Sequence, residues 1–323
     1  MCGLMEDDYD LDEEKLAVSD LLARREVPSK DDDNLLIETW NIENLGSKGS
    51  RKRRLKDHQL IAELIRPFDL IAIQELKSNL WGIREVMQAL GEPYRVVFTD
   101  VGGNTERLAY IFDSSRVELR EQFAELAIPE SEEDEYDPPD INRKFKGFNR
   151  NPYLVSFKRI GRDDFNLTLA NVHIYFGKAS GVEYLGRLVE VYALARWAYG
   201  EVRTKSAYDQ NIVLLGDMNV PKMHESDAVY RQLTRFGYEP TNWSTKVGTN
   251  LDGTEHFDQI AIYPKKSRQP TEYGVLNFDK HLFKSVWDTN GLDPDSEQDL
   301  SKWRRYCEMR ISDHRPLWAE FSA

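Results

Sequence analysis

The chain has 323 residues, 40% of them hydrophobic, and carries a net charge of −13; the apolar content allows a sizeable core, in one large domain or two average ones. No apolar run approaches the roughly 20 residues that span a bilayer, and Met1 to Glu14 has no apolar segment behind a basic patch, so neither a membrane anchor nor a secretory signal is expected. With only Cys2 and Cys307, a disulfide framework is not expected either, which points to a reducing, cytoplasmic setting.

The charge is unevenly placed. Glu6, Asp7, Asp8, Asp10, Asp12, Glu13 and Glu14 form one acidic block, and Glu130, Glu132, Glu133, Asp134, Glu135, Asp137 and Asp140 form another. Setting those fourteen charges aside brings −13 to +1, so the rest of the chain is nearly neutral, with basic clusters at Lys48 to Lys56 and Arg143 to Arg150. A phosphate-rich partner is therefore neither required nor excluded by charge.

In chain order, residues 1–33 read as an acidic, weakly amphipathic tail closed by Pro28 and the Asp31-Asp32-Asp33 run. A single catalytic domain spans 34–323. Leu35 to Trp40 predicts a strand, Leu55 to Ile65 a helix and Asp69 to Gln74 a buried strand. Arg107 to Phe112, Val117 to Leu119, Pro152 to Lys158 and Asn166 to Val172 predict consecutive strands, interrupted by an acidic insertion near 129–142. The spacing of Val182, Leu185, Val189 and Tyr192 predicts a long helix over 182–203. A strand at Ile212 to Leu215, a helix at Ser226 to Phe236, and strands at His256 to Tyr263 and Arg315 to Phe321 complete the pattern, with an unassigned insertion at 264–309. No repeat at solenoid periods is present. Two sheets packed face to face between outer helices would bury all these elements.

Several apolar runs stop abruptly at a carboxylate, amide or imidazole: Trp40-Asn41-Ile42-Glu43, Gln74-Glu75, Asn171-Val172-His173, Gly216-Asp217-Met218-Asn219 and Phe257-Asp258-Gln259-Ile260. Glu106-Arg107 and the terminal Ser312-Asp313-His314-Arg315-Pro316 complete the set. In this order and spacing the chain resembles the endonuclease/exonuclease/phosphatase superfamily, the fold of the pancreatic-type deoxyribonucleases, over nearly all of Leu35 to the C-terminus. The resemblance implies a four-layer α/β sandwich, with two mixed, mainly antiparallel sheets between outer helices and the site at one end of the sheets.

It also implies chemistry. Hard oxygen ligands suit Mg²⁺ or Mn²⁺, which bridges to substrate phosphate, and Glu75, Asp313, Asn41 and Glu43 are the implied metal ligands. His314 with Asp258 resembles the family's His-carboxylate pair, and His173 with Glu106 a second one. The deoxyribonuclease branch has His at the second position, whereas the abasic-site branch has Asn. Asp217 is implied to orient the attacking water; Asn219, Asn41 and Arg150 are implied to contact phosphate. The expected activity is metal-dependent endonucleolytic hydrolysis of DNA, leaving 5′-phosphate and 3′-hydroxyl ends.

Two features depart from the secreted deoxyribonucleases: the disulfides are missing, and Glu43 stands where those enzymes carry a basic residue, as in the abasic-site branch. Asn151 also stands where a Glu is common. Rival readings are a phosphodiesterase or phosphatase of lipid or small-molecule phosphates, an abasic-site or exonuclease-type repair enzyme, and a silent binding module using the acidic tail or the 264–309 insertion to engage a protein. Against the inositol phosphatases, Phe257-Asp258-Gln259 lacks their Cys-Asp-Arg pattern. His58, His224 and His281 read as surface or packing residues, and His256 as either packing or site. Arg51 to Arg54 reads as a solvated run or a backbone contact, and Trp81, Trp243 and Trp303 as packing.

Overall fold

The computed structural model describes residues 8–24, 26–46, 53–162, 165–241 and 247–323. Cys2, Glu6, Asp7, Lys48, Arg51, Lys52 and Trp243 lie outside them.

Two six-stranded sheets dominate. The first contains β1 (Asn34–Leu45), β2 (Leu70–Lys77), β3 (Tyr94–Phe98), β4 (Glu106–Asp113), β11 (Pro270–Val275) and β12 (Leu317–Ser322), in the order β11-β12-β1-β2-β4-β3. The second contains β5 (Val117–Glu125), β6 (Tyr153–Arg159), β7 (Asn166–His173), β8 (Ile212–Asp217), β9 (Glu239–Pro240) and β10 (Asp258–Ile262), in the order β5-β6-β7-β8-β10-β9. Each sheet has one parallel pair, β1 with β2 and β7 with β8, and the other pairings are antiparallel. Helix α2 (Leu55–Ile65) makes the first parallel crossover and α4 (Gly181–Arg203) the second. This is the four-layer sandwich the sequence led us to expect.

Strand alternation explains the layering. Leu35 and Ile37 of β1 point between the sheets, where they meet Leu70, Ala72, Tyr110, Val155, Leu169 and Leu215. Leu36, Trp40 and Ile42 point the other way, against Leu60, Ile61 and Leu64 of α2 and against Ile83 and Val86 of α3 (Trp81–Leu90). Because both faces are covered, β1 is buried along nearly its whole length, its polar Glu38, Thr39 and Asn41 included. The second sheet repeats the scheme, with Ala170, Val172 and Leu214 packed on Leu188, Val191, Leu194 and Val202 of α4. Below the strand ends, the Gln74 amide donates to Asn171 Oδ1 at 2.7 Å, and Asn171 Nδ2 donates to the carbonyls of Ile73 and Ala109, which ties the two sheets together.

Some elements were not visible in the sequence. Within the stretch read as an acidic tail, α1 (Leu11–Ala23) is capped by Asp10, and Tyr9, Val18 and Leu21 join the core. The 264–309 segment supplies β11, α6 (Lys284–Thr289) and α7 (Glu297–Arg310); α7 anchors itself through Trp303, Tyr306 and Cys307, a free and buried thiol. The short α5 (Ala228–Thr234) falls inside the helix expected at 226–236. No helix among the described residues is long and apolar enough to cross a membrane.

Candidate active site

The topology delivers the motif residues to one end of the sandwich. The parallel registers pair Asn41 with Gln74 and His173 with Asp217. The antiparallel registers then set Glu106 opposite Lys77 and Asp258 opposite Asp217. Ladder irregularities fall at Asn41/Leu45 and Ile73/Leu76, where Asn44 (φ 52°) and Glu75 (φ 63°) adopt left-handed backbone, and Asn219 (φ 52°) does the same in the turn after β8. Such conformations cost about 1–3 kcal/mol each and turn side chains out of the ladder. Gly216 (φ 133°) is required sterically, because a Cβ at this position would sit 2.0 Å from the Val172 carbonyl oxygen.

Asp217 is the hub. Its Oδ2 accepts from Asn41 Nδ2 at 3.0 Å and lies 3.5 Å from His173 Nε2 and 3.9 Å from His314 Nε2. Each histidine is backed by its own carboxylate: His314 Nδ1 is 2.7 Å from Asp258 Oδ2, and His173 Nδ1 is 3.1 Å from Glu106 Oε2. Burial opposes charge on His314, but the carboxylates of Asp258, Asp313 and Asp217 overcome it and hold the imidazole protonated well above its ordinary range. Asp258 moves up through burial. Burial would raise Asp217 too, yet the two histidines and Asn41 bring it below the usual carboxylate range. Glu106 resists its burial through His173, Arg150 and Lys77, and drops to about 2.

On the other side of the hub, Asn41 Nδ2 also reaches Glu75 Oε1 at 3.3 Å, and the Asn44 amide donates to Glu75 Oε2 at 2.9 Å. Glu43 accepts from Asn44 Nδ2 at 3.1 Å. Asp313 is half-buried, beside Ser312 Oγ at 3.5 Å. Asn41 Oδ1 and Asp258 Oδ1 are buried without a hydrogen-bond partner among the described residues. A cluster of carboxylates around an unpartnered amide oxygen is a donor set that fits a hard divalent cation. Glu75, Glu106 and His173 also present one ligand atom each within 4.8 Å of one another. Glu106, however, already faces Lys77 at 2.9 Å and Arg150 at 3.3 Å, so a cation there would meet two fixed positive charges.

Two of the residues implied to contact phosphate are engaged elsewhere. Arg150 is buried against Glu106 and donates through Nε to the His173 carbonyl at 2.9 Å, while Asn219 Nδ2 donates to the Ile174 carbonyl at 2.7 Å. Three residues near the site were not assigned to it from sequence. Lys77 follows Glu75 by one turn of strand alternation. Arg187 of α4 donates to the Asn219 carbonyl at 3.1 Å. Arg53, inside the run read as either solvated or a nucleic-acid backbone contact, is buried and bonds the Ile311 carbonyl through Nε and Nη2 at 3.1 and 2.7 Å. The alternation of β2 was the one available signal for Lys77; nothing local marks the two arginines.

The histidines without motif partners behave as packing or surface groups. His58 is buried against the Trp81 ring and bonded to the Arg54 carbonyl, and His224 is exposed on Ser226. His256 is half-buried, and its ring nitrogens have no hydrogen-bond partner among the described residues. Trp303 stacks on Tyr306.

Comparison with known families decides the broader question. The model of the endonuclease/exonuclease/phosphatase family matches residues 39–314. The chain belongs to that family. Its members are metal-dependent phosphoesterases, and the matched span runs from the middle of β1 to the histidine of the terminal motif. No curated protein matches the chain by sequence. Solved structures with the same fold include a mannosyl-6-phosphatase from Bacteroides thetaiotaomicron (18% identity, covering 88% of this chain and 98% of that one, TM-score 0.57). The human Nocturnin catalytic domain with bound sulfate (12%, 91% and 96%, TM-score 0.55) and a humanized Danio rerio TDP2 (14%, 90% and 99%, TM-score 0.53) share it as well. At these identities the likeness is one of fold.

Proposed function

We propose that this chain is a Mg²⁺- or Mn²⁺-dependent endonuclease that hydrolyses DNA to 5′-phosphate and 3′-hydroxyl ends in a cytoplasmic setting. The observation that carries the reading is the pair of histidines converging on Asp217 Oδ2 at 3.5 and 3.9 Å, each braced by a separate carboxylate. A diester with a poor alkoxide leaving group needs a proton donor on one side and help for attacking water on the other, and two independently braced imidazoles meet that need. A sugar phosphate monoester also expels an alkoxide, so the two imidazoles support phosphoester hydrolysis in general, and the choice of a DNA diester rests on the likeness of His173 with Glu106 to the deoxyribonuclease branch.

Asn41, Glu75, Asp313 and Glu43 would hold the cation, with the unpartnered Asn41 Oδ1 among their oxygens. The metal, when bound, neutralises charge building on the phosphate. His314, held as an imidazolium by its carboxylate neighbours, donates to a non-bridging phosphate oxygen and so assists attack. Asp217 accepts a hydrogen bond from the attacking water and orients it. Glu106, ionised at neutral pH, fixes His173 by Nδ1 and leaves Nε2 to protonate the leaving oxygen. Arg150 and Asn219 shape the phosphate cradle indirectly, through Glu106, the His173 carbonyl and the Ile174 carbonyl.

Purified protein incubated with supercoiled plasmid and Mg²⁺ or Mn²⁺ is expected to give nicked and then linear DNA with 5′-phosphate ends. Absence of nicking with both metals at several salt levels refutes the reading. A second reading has one observation in its favour, the fold shared with a mannosyl-6-phosphatase over 88% of this chain. Phosphate release from sugar monoesters, with DNA left intact, would put that reading first.

A further inference from the structure

We propose that Phe176 is the stacking platform for a nucleobase beside the scissile phosphate. This deepens the reading above, on which the substrate is a nucleic acid. Phe176 lies three residues beyond His173 and is 43% exposed. Exposure alone means little, since single apolar side chains on a surface are ordinary. What sets Phe176 apart is how it is held.

Arg187 is buried beneath it. Its Nη2 donates to the carbonyls of Phe176 at 2.6 Å and Lys178 at 3.0 Å, its Nη1 donates to the Asn219 carbonyl at 3.1 Å, and the guanidinium carbon lies 4.3 Å from the Phe176 ring centroid. One cation thus fixes the loop that carries the ring, the turn that carries Asn219, and one face of the ring itself. On its edge, Phe176 meets Phe257 at 6.2 Å in a T-shaped contact, and Phe257 in turn lies 5.8 Å from the His314 ring. A continuous aromatic path therefore leads from His314, in two steps, to an exposed phenyl ring at the mouth of the site. A rigid phenyl, backed by a cation and displayed next to a phosphate-hydrolysing centre, has the chemistry of a base-stacking residue. Every base has a π face, so this contact gives affinity without sequence preference.

The test uses the full chain and Phe176→Ala, with Phe176→Trp as the rescue. A single-stranded oligonucleotide carrying 2-aminopurine, and 2-aminopurine mononucleotide, are titrated in EDTA, and base fluorescence is followed. Stacking predicts quenching with wild type and Trp, and its loss with Ala. In Mn²⁺, cleavage of the oligonucleotide is compared with that of the same backbone bearing base-free residues; the wild-type preference for the base-bearing strand should shrink about 5- to 150-fold in the Ala variant, the range expected for one stacked base. Far-ultraviolet circular dichroism checks that the Ala variant is folded. Quenching that is absent in wild type, or equal in wild type and Ala, overturns the proposal whatever is cleaved. Quenching that depends on Phe176 in a protein that cleaves no nucleic acid upholds the platform and overturns the nuclease reading.

Discussion

Glu190 gives the protein a stability term with a defined pH window. It sits on the buried side of α4, 9% exposed, and its Oε2 has no hydrogen-bond partner among the described residues. Burial raises its carboxyl from 4.5 to about 7, against the opposing pull of the Asn149 backbone, Arg150 and Arg143. Below pH 4.5 the group is neutral in the folded and the unfolded chain alike, and nothing is lost. Between 4.5 and about 7 the unfolded chain gives up its proton while the folded chain keeps it, so stability falls as pH rises. Above about 7 both are ionised and the loss is complete. At about 1.4 kcal/mol per pH unit of displacement, the full loss is of order 3 kcal/mol. Glu190→Gln keeps the shape, accepts from Asn149 and cannot ionise. Urea unfolding of both proteins from pH 4 to pH 8.5 should show the variant gaining about 3 kcal/mol relative to wild type, with the gain confined to the window and flat above it. Glu14, also raised to about 7 by burial, is present in both proteins and cancels. A flat difference, or a variant that loses ground as pH rises, would refute the assignment.

Three further outcomes are expected. Asp258→Asn keeps the 2.7 Å contact to His314 Nδ1 but removes the charge that keeps the imidazole protonated; plasmid nicking should slow by about 10²- to 10⁴-fold, and a loss under threefold would contradict the role of the pair. Glu75→Gln should abolish the rise in melting temperature that Mn²⁺ gives wild type, a readout independent of turnover; an unchanged rise would remove Glu75 from the ligand set. Gly216→Ala must move the Val172 carbonyl from 2.0 Å, at a cost of at least about 3 kcal/mol in urea unfolding; a variant of wild-type stability would mean the turn relaxes freely.

The elements legible in the sequence are those whose burial follows a simple period. β2, β7 and β8 are covered on both faces and read largely as apolar runs, β1 does so at Leu35 to Ile37, and α2 shows its packed face at 60, 61, 64 and 65. The elements missed bury too little for a pattern. In α7 the buried residues are Trp303, Tyr306 and Cys307 out of 14, and in α1 the buried Glu14 accepts from the Phe283 amide at 2.7 Å, a contact no local pattern can announce. The edge strand β11 has half of its six residues intermediate, and its position is set by pairing with β12 rather than by its own composition.

The site divides along the same line. His173 with Glu106 and His314 with Asp258 were paired from sequence and are in contact, because strand ends and turns fix where such residues emerge. What the sequence did not convey is how the like-charged ends are kept together. The Ser312 hydroxyl donates to the Asn41 carbonyl at 2.7 Å and accepts from the amides of Glu43 at 3.2 Å and His314 at 3.1 Å, joining the end of β1 to the terminal motif. Behind that joint, Arg53 grips the Ile311 carbonyl and lies in the field of Glu43, Asp57, Asp313 and Glu75. Carboxylates this close repel in a medium of low dielectric, so a buried guanidinium next to them stabilises the cluster before any metal arrives. The next arginine in the same run, Arg54, is half-buried and pairs with the exposed Asp8 and the buried Asp57. One basic run therefore supplies a counter-ion to the metal-side carboxylates and a second one to Asp57 and Asp8, and only the fold distinguishes them.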